Sequence, residues 1–319
     1  MPPKIISVIG GLDYDLIMMA NRIPNVGESV LANEYLEAPG GKGANTALAA
    51  YRSCHQKPHD PRPIPAKGWT SDKPSDDAHR NVDMDAQLLS STTSRDKIEV
   101  DVRMRLLRHD RRPYQKKNRC LFTHGATTTW GTEDFLRIED LGCGMRPDIC
   151  VAQMGIQKEV VEQMIETAEC YKWVTHLIMN ESEAAIMSGR ELGEVNEDIW
   201  PIICQEFLSR GVKNVVITLG AQGAYYATAT ERGYCPGYDV EVVDSTGADD
   251  TFIGVYALEC IRQKEHGPWK IEQAVARANK AAAIAILRLG AQRGIPWSDE
   301  IDKLDAPFRA SKVADGRTD

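Results

Sequence analysis

An α/β fold with a largely parallel sheet covered on both faces is the architecture this sequence predicts, and three observations predict it. Strand-like and helix-like runs alternate from Asp148 to Leu219. One of those strands, Val212 to Leu219, is β-branched and apolar in the manner of a strand buried on both sides. Two small-residue turns, Pro39 to Gly43 and Ser245 to Ala248, each lead into a helix, which is how α/β folds build ligand sites.

Taken in order, Ile5 to Ile9 reads as the first strand, and Asp13 to Met18 keeps an apolar character toward Pro24 and Gly27. The run Ala44 to Ala50 has the composition of a buried helix. Further on, Asp148 to Met154 is a strand, Lys158 to Tyr171 an amphipathic helix and Val174 to Met179 another strand. Glu181 to Ser188 is helical up to Gly189, and Glu197 to Arg210 is a helix stopped by Gly211. Gly223 to Ala229 is a hairpin partner or the next strand, and a helix runs from about Asp249 to about Arg262.

The segment from Arg52 to Asn118 breaks this rhythm. It holds 25 charged residues among 67, six of the 16 prolines and four of the seven histidines. Such a composition predicts a low-pattern insertion or surface segment without regular structure. Its basic end, Arg103 to Arg119, is compatible with a nuclear address, although a solvated linker is the commoner fate of a charge run. Cys54, His55 and His59 have no second ligand cluster after them, so no zinc site is expected. The expected division is therefore a main domain from 1–51 and 119–308, a low-pattern insertion or degraded lid region at 52–118 and a tail at 309–319.

Length and charge bound the function. A chain of 319 residues, 42% apolar and 26% charged, can bury a substantial core. The longest apolar stretch, Ala281 to Leu287, is far short of a bilayer span, and a net charge of −8 disfavours nucleic-acid and membrane surfaces. Eight cysteines without a C-x-x-C pair read as reduced thiols in a cytoplasmic protein. A small-molecule substrate fits these properties, and a homodimer is compatible with them.

The chemistry concentrates in a few motifs. In Val242-Val243-Asp244-Ser245-Thr246-Gly247-Ala248-Asp249-Asp250-Thr251-Phe252-Ile253-Gly254 a strand ends in a small-residue turn that opens a helix. Amides at such a helix start converge on an anion. A carboxylate in the first turn can be a general base or an N-cap, and on this motif alone capping is the commoner role. Near the N-terminus, Asp13, Asp15, Lys42 and Asn45 supply donors and acceptors suited to sugar hydroxyls, and Gly41 and Gly43 permit close backbone approach. A turn plus helix cap would explain the glycines but not the polar residues.

These motifs carry a resemblance. Asp244-Ser245-Thr246-Gly247-Ala248-x-Asp250-Thr251-Phe252, with Gly10-Gly11-Leu12-Asp13-Tyr14-Asp15, Pro24-x-x-Gly27-Glu28 and Gly40-Gly41-Lys42-Gly43-Ala44-Asn45, is similar to the ribokinase, or phosphofructokinase-B, family of sugar kinases. The resemblance covers residues 1–51 and about 119–304. It implies a three-layer α/β/α fold with a small β lid, here incomplete, and transfer of the γ-phosphoryl group of ATP to the 5-hydroxyl of D-ribose. On it, Asp250 is the base, Gly247, Ala248 and Asp249 form the anion hole, and Asp13, Asp15, Gly41, Lys42, Gly43, Asn45 and Asp250 bind sugar. Asn180, Thr218, Leu219, Gly220, Ala221, Gln222, Gly223 and Asn279 bind nucleotide. Glu183 supports Mg²⁺, and Asp244, Thr246, Ala285, Arg288 and Gly290 fall on a K⁺ loop. An asparagine N-cap would make Asn180-Glu181-Ser182-Glu183 look much the same.

Four departures set this chain apart from the family pattern. Asp249 stands where the family has glycine, and Gly155 where it has an acidic sugar-binding residue. Between Tyr171 and Lys172 a strand with an Asn-Pro-Ala-Pro turn is missing, and Arg52 to Asn118 replaces the lid strands and a Gly-Asp-Asp loop. A kinase-derived protein that binds sugar or nucleotide without turnover, and a related sugar or nucleoside kinase, are the alternatives. Lys42 disfavours the latter.

Overall fold

The computed structural model describes residues 4–57, 99–106, 118–121, 130–168 and 174–309, except 21, 23, 143 and 154. Strands β1 (Ile6–Ile9), β2 (Asp13–Ala20) and β3 (Glu34–Gly40) precede helix α1 (Lys42–Cys54). Strands β4 (Glu99–Leu106), β5 (Asn118–Leu121) and β6 (Ile149–Ala152) lead to α2 (Lys158–Thr167), β7 (His176–Asn180), α3 (Glu181–Ser188) and α4 (Trp200–Ser209). Then come β8 (Asn214–Thr218), β9 (Gly223–Thr228), β10 (Arg232–Pro236), α5 (Ala248–His266), α6 (Ile271–Ala285), α7 (Ala291–Gly294) and α8 (Ser298–Lys303).

The strand ladders among the described residues form β1-β6, β10-β9-β8-β7 and β3-β2-β4-β5. Pairs β1–β6 and β7–β8 are parallel, while β9 and β10 add an antiparallel edge, the hairpin expected from Gly223 onward. No ladder joins β6 to β7 among the described residues, the place where the sequence lacks a family strand. The Tyr171–Lys172 junction itself lies outside the described residues.

Strand β8 shows why the fold is layered. All five of its residues are buried, and alternate side chains enter opposite cores. Val216 joins Phe252, Val255, Tyr256, Ala274 and Ala278 of α5 and α6. Val215 and Ile217 join Ala184, Ala185, Ile203 and Phe207 of α3 and α4. A third cluster packs Ile9 against Phe135, Leu141, Ile156, Val160 and Met164. The fold is thus α/β with helices on both faces of the sheet, as predicted.

Several boundaries move for physical reasons. Helix α4 begins at Trp200, not Glu197, because Pro201 suits only a first helical turn. Helix α3 has its expected bounds, fixed by an Asn180 cap and by Gly189 in the left-handed region at φ 69°. Helix α1 continues to Cys54, past the expected break at residue 51, since Arg52 and Ser53 are buried in its last turn.

The span 52–118 is not wholly without regular structure. Strand β4 pairs parallel with β2 from Asp13↔Glu99 to Ala20↔Leu106, and β5 pairs with β4. A four-stranded small sheet therefore stands where an incomplete one was expected. Residues 58–98 and 107–117, with most of the basic run, lie outside the described residues.

Candidate active site

The two glycine turns meet in space. Gly41 holds φ 92°, where a Cβ would sit 2.5 Å from Gly11 O and 2.6 Å from Asp13 N. A Cβ on Gly43 would sit 2.5 Å from Gly10 C. Glycine is thus required at both positions, because the first turn of α1 rests directly on the Gly10–Asp13 backbone. Ala44 N donates to Gly11 O at 3.3 Å and fixes that seat. Asp13 and Asp15 enter from β2, the Asp15 carboxylate 2% exposed and packed against the Gly40 Cα. Lys42, first residue of α1, is exposed at the mouth.

Helix α5 brings the second half of the site. Its N-cap is Gly247, left-handed at φ 79°, and no side chain caps the helix. The Oδ2 of Asp250, third residue of α5, accepts from Asn45 Nδ2 at 2.8 Å, and both residues are buried. The approach depends on Gly254, one turn further along α5, where a Cβ would collide with Thr46 O and lie 2.7 Å from Ala49 Cβ. The uncapped turn at Gly247, Ala248, Asp249 and Asp250 leaves a helix start suited to anions.

Asp249 reaches solvent but its carboxyl lies in a recess shared with Glu183, Lys42, Asn180 and Thr218. Desolvation pushes its pKa up, and Glu183 pushes it further. Lys42 and hydrogen bonds with Asn180 and Thr218 oppose the rise. The recess thus gathers residues from five elements, α1, β7, α3, β8 and α5.

Asn180 and Glu183 form a capping box. Asn180 Oδ1 accepts from Glu183 N and Glu183 Oε2 accepts from Asn180 N, both at 2.9 Å. Beyond Thr218, Gly220–Gln222 is a short 3-10 turn closed by Leu219 N donating to Gly223 O at 2.8 Å. Gly223, at φ 112°, lets this loop press against the backbone of Cys235 and Gly237. Ala221 belongs to the same turn. Asn279 lies on the inner side of α6, buried, with its Nδ2 donating to Cys235 O at 3.2 Å.

The loop after β10 is stitched to the end of α6. Val243 N and Asp244 N both donate to Ile286 O, at 2.8 and 3.1 Å. Asp244 Oδ2 accepts from Gly290 N at 2.8 Å, and its Oδ1 accepts from Thr246 N and Oγ1 at 3.1 and 2.8 Å. Ala285 is fully buried, whereas the Arg288 guanidinium turns outward to Glu300 at 3.0 Å. Only the backbone carbonyl of Arg288 is thus suited to a cation. Among the described residues no group of three or more His, Cys, Asp or Glu side chains could hold a metal.

Gly155 is exposed, and a Cβ there would meet nothing within 4 Å. Sequence reading passed over Gln153, two residues earlier, whose buried amide touches the first turn of α1. Its contacts are with residues more than a hundred positions away, so no local spacing announces it.

Known proteins resemble this chain in sequence and in fold. Residues 153–298 match the model of the pfkB family carbohydrate kinases. A ribokinase of Staphylococcus aureus (strain COL) is 26% identical, the match covering 95% of this chain and all of that protein. A ribokinase of Schizosaccharomyces pombe is 28% identical over 93% of this chain and 96% of its own. The structure of Arabidopsis thaliana ribokinase complexed with ribose and ATP superposes with a TM-score of 0.68 at 20% identity, over 95% of this chain and 98% of that one. Residues 153–298 are thus similar to the pfkB family carbohydrate kinases, and the chain has a ribokinase-like α/β fold.

Proposed function

We propose that this protein is an ATP:D-ribose 5-phosphotransferase. The observation that carries the reading is the Asn45–Asp250 hydrogen bond, which joins the candidate sugar turn to the candidate base. Asp13, Asp15, Gly41, Lys42, Gly43 and Asn45 stand together where β2 meets the first turn of α1, and their side chains supply the acceptors and donors that a polyhydroxylated sugar requires. Asn45 Oδ1 is buried and takes no hydrogen bond from a described residue, so it suits a hydroxyl donor. The nucleotide belongs beside Asn180, Thr218 to Gly223 and Asn279.

In the reaction, Asp250 removes the proton of the 5-hydroxyl, and the resulting oxygen attacks the γ-phosphorus. The bond to the β,γ-bridging oxygen breaks and ADP leaves. Amides of Gly247, Ala248 and Asp249 at the uncapped start of α5 stabilise the negative charge on the transferring group. Asn45 orients Asp250 through its 2.8 Å bond.

Glu183, half-buried at the recess, fits a Mg²⁺ site of carboxylate, nucleotide phosphates and water, and Mg²⁺ there would neutralise phosphate charge. The loop of Asp244, Thr246, Ala285, Arg288 and Gly290 is rich in carbonyl oxygens and suits K⁺, a large weakly charged ion, better than a small divalent one.

A second reading, a sugar- or nucleotide-binding protein without turnover, is favoured by one observation. Asp249 puts a carboxylate beside Glu183 in the recess that would receive phosphate. A coupled assay of ADP release with pentoses, hexoses and nucleosides separates the two readings. The first requires sugar-dependent release, greatest with ribose. The second requires binding in calorimetry with no release.

A further inference from the structure

We infer that Gln153 is a positioning residue that clamps the first turn of α1 and thereby sets the acceptor-binding geometry. Residue 153 follows β6 directly, and its N–H donates to Ile9 O at 3.2 Å, which ties it to the end of β1. The side chain is 8% exposed. Its amide nitrogen donates to Lys42 O at 3.1 Å and to Thr46 Oγ1 at 2.8 Å. Because a carbonyl can only accept, the orientation of the amide is fixed by Lys42.

Both amide hydrogens are thereby spent on residues one helical turn apart, and Asn45 lies between them in the chain. The amide oxygen meanwhile faces Gly10, where a Cβ would lie 2.6 Å from Gln153 Oε1 and 2.9 Å from Gly43 Cα. Gln153 therefore closes the place where Gly10, just after β1, meets Gly43 of α1 backbone to backbone. Rotation of α1 about its axis would carry Lys42 out of the recess and draw Asn45 away from Asp250 Oδ2. Leaving Lys42 O and Thr46 Oγ1 without this donor removes the restraint against that rotation.

The inference rests on the acceptor-site reading of Lys42 and Asn45, so its test has one arm that needs no activity. In Gln153→Met, hydrogen exchange of the full chain is expected to rise at least tenfold in the peptide covering residues 42–50. Peptides from β8 and β9 should exchange as in the parent. In the kinase assay the acceptor KM should rise about tenfold, as loss of a pair of neutral hydrogen bonds implies, with the KM for ATP within about twofold of the parent. Thr46→Val should give part of that rise, and the double variant less than the product of the two, since both changes remove the same bond. Unchanged exchange at 42–50, or an equal rise in both KM values, overturns the clamp. A parent that phosphorylates no sugar overturns the acceptor reading instead, while the exchange arm still decides the clamp.

Discussion

Asn45 Nδ2 donates to Asp250 Oδ2 at 2.8 Å across 205 residues of sequence, so the first turns of α1 and α5 meet through one hydrogen bond. Removing the donor in Asn45→Ala leaves a buried carboxylate short of a hydrogen bond, a loss of about 1–3 kcal/mol. Acceptor affinity and turnover should both fall at least tenfold, with ATP affinity nearly unchanged. Calorimetric titration of Asn45→Ala and Asp15→Ala with ribose and with ATP checks this, and equal loss for both ligands would point to unfolding.

The backbone approach at Gly254 holds that bond in place. Gly254→Val would drive side-chain atoms into Thr46 O and Ala49 of α1. Overpacking of this kind costs about 1–3 kcal/mol. The thermal midpoint should fall, and turnover should fall further than stability alone explains because α5 must shift away from Asn45. A variant with the parent's midpoint and turnover would show that the helices have slack there.

Asp249 should lower the rate. Two unit charges ~4 Å apart repel by roughly 4 kcal/mol at an effective dielectric of ~20, which bounds the loss at about three decades. Lys42 and the raised carboxyl pKa both reduce that repulsion. Asp249→Gly is therefore expected to raise turnover by about tenfold and to lower the KM for ATP. Initial-rate kinetics on the folded variant decide it, and no gain would clear Asp249 of any inhibitory role.

His176 gives the fold a pH dependence. Burial, with Lys264 nearby, lowers its pKa from 6.5 to about 4, while its Nδ1 lies 3.0 Å from Tyr256 Oη. The unfolded chain therefore binds a proton more readily, so this contribution is complete above the unfolded pKa and is lost as pH falls from 6.5 toward 4. The loss is about 2 kcal/mol at pH 5. Denaturant midpoints of the parent and His176→Asn between pH 7 and 5 test it, with a shallower slope expected in the variant. Identical slopes would contradict the assignment.

Much of the scaffold was legible because local rules decide it. The β-branched run ending at Thr218 and the Asn180 to Gly189 helix with its caps each carry their own boundary signals. Strand β4 was missed although Glu99-Val100-Asp101-Val102-Arg103-Met104-Arg105-Leu106 alternates charged and apolar residues. The surrounding charge and proline content masked an eight-residue period of two. The polar residue types of the site stood in recognisable motifs, but pairings such as Asn45–Asp250 and Gln153–Thr46 arise only when distant elements pack.

The most direct test of the account is ADP release by the purified parent and by Asp250→Asn, measured with ribose against a panel of pentoses, hexoses and nucleosides. The account predicts sugar-dependent release by the parent, greatest with ribose. It also predicts a fall in turnover of about 10²–10⁴-fold in Asp250→Asn, with ribose still bound in calorimetry. Unchanged turnover in that variant, or a folded parent that binds ribose and ATP yet releases no ADP, would contradict it.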